Sequence, residues 1–138
     1  MLRLEHLNLV VRDIEESLKF YRAAFPHWRL RGGDKTEWYG KPRNWIHFGD
    51  DYNYLSLSDT GEGKNRDLTG HTVGLAHIGF VTENLAALIK RLAHAGFEVD
   101  KGGESQFRNN AYFIDPDGYE VEFVEYLTDL PAERNGYE

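Results

Sequence analysis

The sequence predicts an α+β fold of two tandem modules, each built as a strand, a helix and three further strands. A strand pattern opened by histidine occurs twice, at His6-Leu7-Asn8-Leu9-Val10-Val11 and 71 residues later at His77-Ile78-Gly79-Phe80-Val81-Thr82. Each copy leads through polar residues into an amphipathic helical pattern, after which the period returns to that of strands. The length of 138 residues fits one domain. A half of about 60 residues buries too little surface to be secure alone, so two halves, or two chains, must share a core. Repeated units of this kind are expected to curl their sheets around a common cavity.

The first helix has Asp13 as N-cap, with Glu16 three residues on to complete a capping box. Ile14, Leu18, Tyr21 and Phe25 fall on one face, and Pro26 closes the element. Strands follow at Trp45–Gly49 and Tyr52–Ser58, parted by Asp50-Asp51, and end module one at about residue 58. Residues 59–70 are polar, contain three glycines and read as a linker. Module two covers about residues 71–127. Its helix has Asn84 as N-cap, a stripe of Leu85, Leu88, Ile89 and Leu92, and Gly96 as C-terminal cap. Its remaining strands are read at Phe97–Asp100, Ala111–Ile114 and Tyr119–Tyr126. The last two are joined by the turn Asp115-Pro116-Asp117-Gly118. Residues 128–138 form a polar, peripheral tail.

Composition narrows the function classes. The chain has no cysteine, which removes disulfides, thiolate metal sites and cysteine nucleophiles, and points to a cytoplasmic setting. A net charge of −7 argues against nucleic acid and anionic membranes as partners. No apolar run approaches the roughly 20 residues of a membrane span, and MLRLEHLNLV does not read as a signal peptide. The expected partner is a small-molecule substrate.

His6 and His77 are the first candidates for chemistry, because they hold equivalent places in the repeat and a pseudo-twofold axis would bring them together. The last strand supplies a carboxylate: alternation puts Glu120 and Glu122 on one face, opposite Val121 and Phe123. Parity leaves two readings open, a solvent face or a face that carries a carboxylate to a metal. His27, His71 and His94 receive no role, and Glu120 and Glu125 are expected to be solvated. Trp38, Tyr39 and Trp45 make module one aromatic, which suits either packing or an apolar substrate.

Together the His6-Leu-Asn-Leu-Val-Val segment, the His77-Ile-Gly-Phe segment and Asp115-Pro-Asp-Gly-Tyr-Glu-Val-Glu122 resemble the vicinal oxygen chelate superfamily. That group includes glyoxalase I, fosfomycin thiol transferases, extradiol dioxygenases and bleomycin-binding proteins. The resemblance implies two βαβββ modules forming a half-open barrel around one divalent metal ion. Its ligands would be His6, His77 and Glu122, with Glu122 also the catalytic group. At the fourth ligand position, where glyoxalase I has glutamate, this chain has Ser56. Two histidines and one glutamate favour Fe2+ or Mn2+, with Ni2+, Co2+ or Zn2+ possible. A substrate chelating the metal through adjacent oxygens is implied, as are a lyase, isomerase or ring-cleaving dioxygenase activity and a homodimer. Fosfomycin enzymes have a tyrosine where Tyr112 stands and a threonine where Asn8 stands. Asn8, His47, Tyr54, Ser56 and Tyr112 are the expected substrate-binding residues. A metal-free binding protein of the bleomycin-resistance type, and a fosfomycin-type thiol transferase, are the alternatives.

Overall fold

A computed structural model describes residues 1–137. The chain divides into two compact units, Met1–Gly63 and Lys64–Glu138. Each carries one open four-stranded mixed sheet, in the tandem βαβββ arrangement.

The first unit runs β1 (His6–Val10), α1 (Ile14–Ala24), β2 (Arg29–Trp38), β3 (Lys41–Gly49) and β4 (Tyr54–Ser58). Its sheet order is β1-β4-β3-β2, with β1 parallel to β4 and the other pairs antiparallel. The second unit runs β5 (Ile78–Val81), α2 (Leu85–His94), β6 (Lys101–Glu104), β7 (Arg108–Ile114), β8 (Glu120–Tyr126) and a short α3 (Pro131–Arg134). Its order, β5-β8-β7-β6, repeats the first.

Both helices start where their caps stand. Asp13 accepts from the amides of Glu15 and Glu16, at 2.8 and 3.2 Å. The Glu16 carboxylate turns forward to Lys19, at 2.7 Å, and does not close the expected capping box. Asn84 caps α2 by accepting from Ala87 N at 3.0 Å. At the other end Gly96, with φ +95°, lets Phe97 N reach Leu92 O at 2.8 Å and its own N reach Ala93 O at 3.0 Å. That pair of bonds is a Schellman closure, which needs a left-handed residue at the glycine position.

Strand alternation then sorts the side chains. In the first unit Leu9, Phe48, Leu55 and Leu57 are buried on one face, and Leu18 and Tyr21 of α1 are buried with them. Phe25 stacks on Trp28 at 4.0 Å, and Trp28 meets Phe48 edge-on at 5.9 Å. In the second unit Ile78, Ala111, Phe113, Val121 and Phe123 form the buried face, with Leu85, Leu88 and Leu92 of α2. Polar residues are left to the opposite face of each sheet.

Three strand expectations need correction. β2 has no counterpart among the strands read from the sequence, and β3 starts at Lys41, not Trp45. Phe97–Asp100 is not a strand; β6 follows it at Lys101–Glu104. β2 and β6 are edge strands with almost wholly exposed residues. Pairing to a single neighbour holds them, so they carry no apolar alternation to read. Phe97 belongs to the close of α2, as the residue after the Schellman glycine whose amide bonds Leu92 O.

Phe123 is fully buried between Phe80 and Phe113, each about one ring contact away. Phe123→Ala should therefore lower unfolding stability by about 3–5 kcal/mol. Urea denaturation with an unchanged m-value checks this, and a loss below about 1 kcal/mol would place the core elsewhere.

Candidate functional site

The polar face of the first sheet is set out by its register. His6 pairs with Tyr54, Asn8 with Ser56, and Ser56 in turn with His47. Five of the sequence-derived residues therefore share one face in two adjacent rows. The Tyr54 ring lies flat against His6, with centroids 4.7 Å apart, and tilted against His47, at 4.4 Å. Ser56 is buried.

His6 is about half exposed, and its Nδ1 lies 2.9 Å from Glu5 Oε1. Tyr54 donates its hydroxyl to the same oxygen at 3.2 Å. These contacts, the imidazole first and the phenol second, hold the Glu5 carboxyl below its usual range. With Nδ1 engaged by a carboxylate, the ring is oriented and Nε2 is its remaining donor atom, the arrangement metal-bound imidazoles commonly adopt.

His47 behaves differently. Burial pushes its imidazole below the usual value, and the guanidinium of Arg31 pushes the same way. Arg31 lies in the β-bulge of β2 opposite His47 and sits over the Tyr54 ring, 4.3 Å from its centroid. The ring of His47 is thus kept neutral, next to a cation, which suits a wall residue.

On the second sheet Glu122 pairs with Gly79 on one side and with Tyr112 on the other. His77, two residues before Gly79, brings its Nε2 to 3.1 Å from Glu122 Oε2. The glutamate side chain is only 12% exposed, and the histidine 40%. Asn110 Nδ2 donates to the other carboxylate oxygen, Oε1, at 3.1 Å, so both oxygens have a fixed direction. The Tyr112 ring stands edge-on to His77 at 5.5 Å. Burial raises the Tyr112 hydroxyl's pKa, and the charge of Glu122 adds to the effect. Gly79 leaves the space above Glu122 free of a side chain.

Two glutamates expected in solvent are not there. Glu120 is buried and receives Lys101 Nζ at 2.8 Å, a partner that an interior carboxylate requires. Glu125 accepts from Leu85 N at 2.9 Å, satisfying an orphan amide of the first turn of α2. Lys101 also lies 4.9 Å from the centre of the Tyr112 ring. It reaches that ring from the partner strand, because Lys101 and Tyr112 are cross-strand neighbours. Asn110, Lys101 and Arg31 were not singled out in the sequence as parts of a site. Lys101 and Asn110 reach theirs only through strand register, and Arg31 only through the bulge.

His77 and Glu122 supply one imidazole nitrogen and one carboxylate oxygen to the same point, a donor pair that fits a borderline divalent cation. Among the described residues, neither unit by itself gathers three such groups. His6, on the first unit, has its own carboxylate partner in Glu5.

The Glyoxalase/Bleomycin resistance protein/Dioxygenase superfamily model matches residues 3–123. Among solved structures, a glyoxalase family protein from Bacillus cereus is similar at a TM-score of 0.75 and 14% identity, over 93% of this chain and 96% of that one. A mutant of the fosfomycin resistance protein FosX from Listeria monocytogenes, complexed with Mn(II) and 1S,2S-dihydroxypropylphosphonic acid, is similar at 0.66 and 15% identity, over 89% and 91%. Trypanothione-dependent glyoxalase I from Leishmania major is similar at 0.63 and 23% identity, over 91% and 87%. These likenesses show the fold.

The surroundings of His47 give a titration to measure. Its ring should take up a proton below the pH of an ordinary histidine, and Arg31→Met should move that titration upward, as read by NMR of the ring protons. Because the folded value is lowered, the stability linked to neutral His47 is fully present above about 6.5. It is lost as the pH falls through the lowered value. A ring titrating at or above the ordinary value contradicts the environment described.

Proposed function

We propose a function from the premise that the chain belongs to the Glyoxalase/Bleomycin resistance protein/Dioxygenase superfamily: it is a divalent-metal-dependent enzyme whose substrate chelates the metal through adjacent oxygens. The observation that carries this reading is the meeting of His77 Nε2 with Glu122 Oε2 at 3.1 Å, on a carboxylate already fixed by Asn110. His6, with Nδ1 tied to Glu5, completes the set of two histidines and one glutamate. It does so from the same chain or from a second copy in a homodimer. A cytoplasmic location suits the cysteine-free composition.

The metal would supply Lewis acidity to a substrate oxygen and would leave open positions for both chelating oxygens. Fe2+ and Mn2+ suit this donor set best, with Ni2+, Co2+ and Zn2+ as further candidates. The remaining steps belong to the chain's own groups. Glu122, as the buried carboxylate, is the group that can accept a proton from carbon or oxygen next to the chelated atoms. Tyr112 keeps its proton because of burial and the nearby carboxylate, so it serves as a hydrogen-bond donor to substrate. Ser56 replaces an anionic donor with a neutral hydroxyl, which lowers the site's negative charge and frees a coordination position.

This chemistry fits a lyase, an isomerase or a ring-cleaving dioxygenase. The donor set speaks against a metal-free binding protein, since a carboxylate and two imidazoles are retained with their supporting partners. A phosphonate-directed thiol transferase is less well matched, because Asn8 replaces the expected threonine and is engaged by Ser58.

Metal analysis of protein purified without chelator and reconstituted with each cation should give close to one metal per chain. His6→Ala, His77→Ala and Glu122→Ala should each abolish tight uptake, whereas His47→Ala should not. Asn110→Ala and Glu5→Gln should weaken affinity about 10- to 100-fold, since they act on the orientation of ligands. Full uptake by the His77 or Glu122 variant, or loss in the His47 variant alone, refutes the assignment.

A further inference from the structure

We infer that the second unit holds a separate ligand site, a groove between α2 and the β6–β7 edge that takes a primary ammonium carried on a short apolar body. A cavity of about 580 Å³ lies there, within the usual range of small-molecule sites. It is bounded by Leu85 and Ile89 of α2, by Val99 ahead of β6, and by residues of β6, β7 and β8. Solvent reaches it, since Ala86, Val99 and the whole of β6 are exposed along its rim. The groove lies on the face of the sheet opposite Tyr112 and Glu122, because Ala111 and Glu125 alternate with them along β7 and β8.

Strand register sets two rows of residues on this face. Glu104 pairs with Asn109, and Asn109 with Glu125. In the neighbouring row Gly102 pairs with Ala111, and Ala111 with Phe123. The first row is polar and the second apolar. The second is also hollow, because Gly102 has no side chain and Ala111 only a methyl. A Cβ at Gly102 would come to 2.6 Å from Asn110 O, so a larger residue there would push the two strands apart. Leu85 and Ile89 of α2 complete the apolar lining.

Charge identifies the ligand. Glu104 and Glu125 stand two strands apart with Asn109 between them, a backbone separation of roughly 10 Å that two glutamate side chains can bridge from either side. Among the described residues neither carboxylate has a cationic partner, in a chain with 16 lysines and arginines. Glu125 gives Oε1 to the amide of Leu85 at 2.9 Å, which fixes the side chain and leaves Oε2 for a ligand. The positive end of the α2 dipole offsets roughly half a charge on Glu125, but Glu104, on the far strand, has no such compensation. The two carboxylates and the Asn109 side-chain carbonyl offer three acceptors in one row, the number of N–H donors on a primary ammonium. A metal ion is less well served, since among the described residues no third acidic or histidine side chain joins the pair. The hollow row beside the acceptors receives the alkyl or aryl group of the amine.

The groove is independent of the proposed metal chemistry, which uses the opposite face of the sheet. The test is an amide NMR titration of the full chain at neutral pH with 2-phenylethylamine, and with 2-phenylethanol as the uncharged control. The amine should shift the amides of Leu85, Gly102, Gly103 and Ala111, and should bind about fivefold more tightly than the alcohol, the measure of an exposed ion pair. Glu104→Gln and Glu125→Gln should each weaken the amine about threefold and leave the alcohol as it was. Glutamine at 125 keeps an acceptor for the amide of Leu85. The trimethylated amine, with the charge but no N–H, should bind more weakly than the primary amine. So should Nα-acetyl-lysine N-methylamide, which carries the ammonium on a peptide without the apolar body. Thermal unfolding checks each variant, and Glu104→Gln, on an exposed edge strand, carries the comparison if Glu125→Gln does not fold. Equal affinity for amine and alcohol, shifts confined to other residues, or wild-type amine binding in both variants overturns the inference. Tighter binding of the trimethylated amine or of the lysine derivative, or displacement of the amine by equimolar Ca2+, overturns it too.

Discussion

One helix per sheet is the constraint from which the rest follows. In each unit a four-stranded sheet has two faces, but among the described residues only one helix of any length is present to cover an apolar one. Strand alternation has a period of two, so the choice of which face is apolar fixes the environment of every residue along every strand. Once Val121 and Phe123 are buried with Phe113, Glu120 and Glu122 must project to the other side. Leu55 and Leu57 do the same for Tyr54, Ser56 and Ser58. The candidate site residues are thus gathered by the packing of apolar residues on the opposite faces of the sheets.

That logic explains which features were legible. The repeat, both helix caps, the turn before β8 and the parity of Glu122 are local patterns, and each is visible in a window of a few residues. The edge strands β2 and β6 are not. Arg29–Trp38 is a run of charged and small residues with two adjacent glycines, and Lys101–Glu104 is similar. Their strand character comes from backbone bonds to β3 and β7, which leave no trace in side-chain hydrophobicity. Parity fixed the face of Glu122 but not what that face does. The contact with His77 and the clamp by Asn110 give that face its character, and both depend on register. Glu120 and Glu125 looked like surface charges because their partners, Lys101 and the amide of Leu85, are 19 and 40 residues distant in sequence.

The two histidines of the repeat, equivalent in sequence, are supported in different ways. His77 leans directly on Glu122, the carboxylate proposed as its fellow ligand. His6 leans on Glu5, a neighbour along its own strand, and is stacked by Tyr54. In the proposed site the first contact would be replaced by bonds from both groups to the metal, while the second would persist as a hydrogen bond behind the ligand. The clamp on the far oxygen adds to the His77 contact, because Asn110 fixes Glu122 Oε1 in a direction that His77 does not require.

Charge divides the two sheets in a way that bears on substrate. The polar face of the second sheet carries Glu120 and Glu122 against Lys101 and His77, an environment that welcomes a cation. The polar face of the first carries Arg31 and Arg43 with aromatic rings and buried serines. Ser56 belongs to this division, since a glutamate at that place would set an anion two residues from Ser58, beside the guanidinium of Arg43. Such a carboxylate would offset the positive charge of that face. With serine at this position no added carboxylate stands against that charge, and the face keeps its cationic and aromatic character. The departure from the glyoxalase I pattern is therefore a difference of charge on the polar face of the first sheet, while Leu55 and Leu57 keep the other face buried.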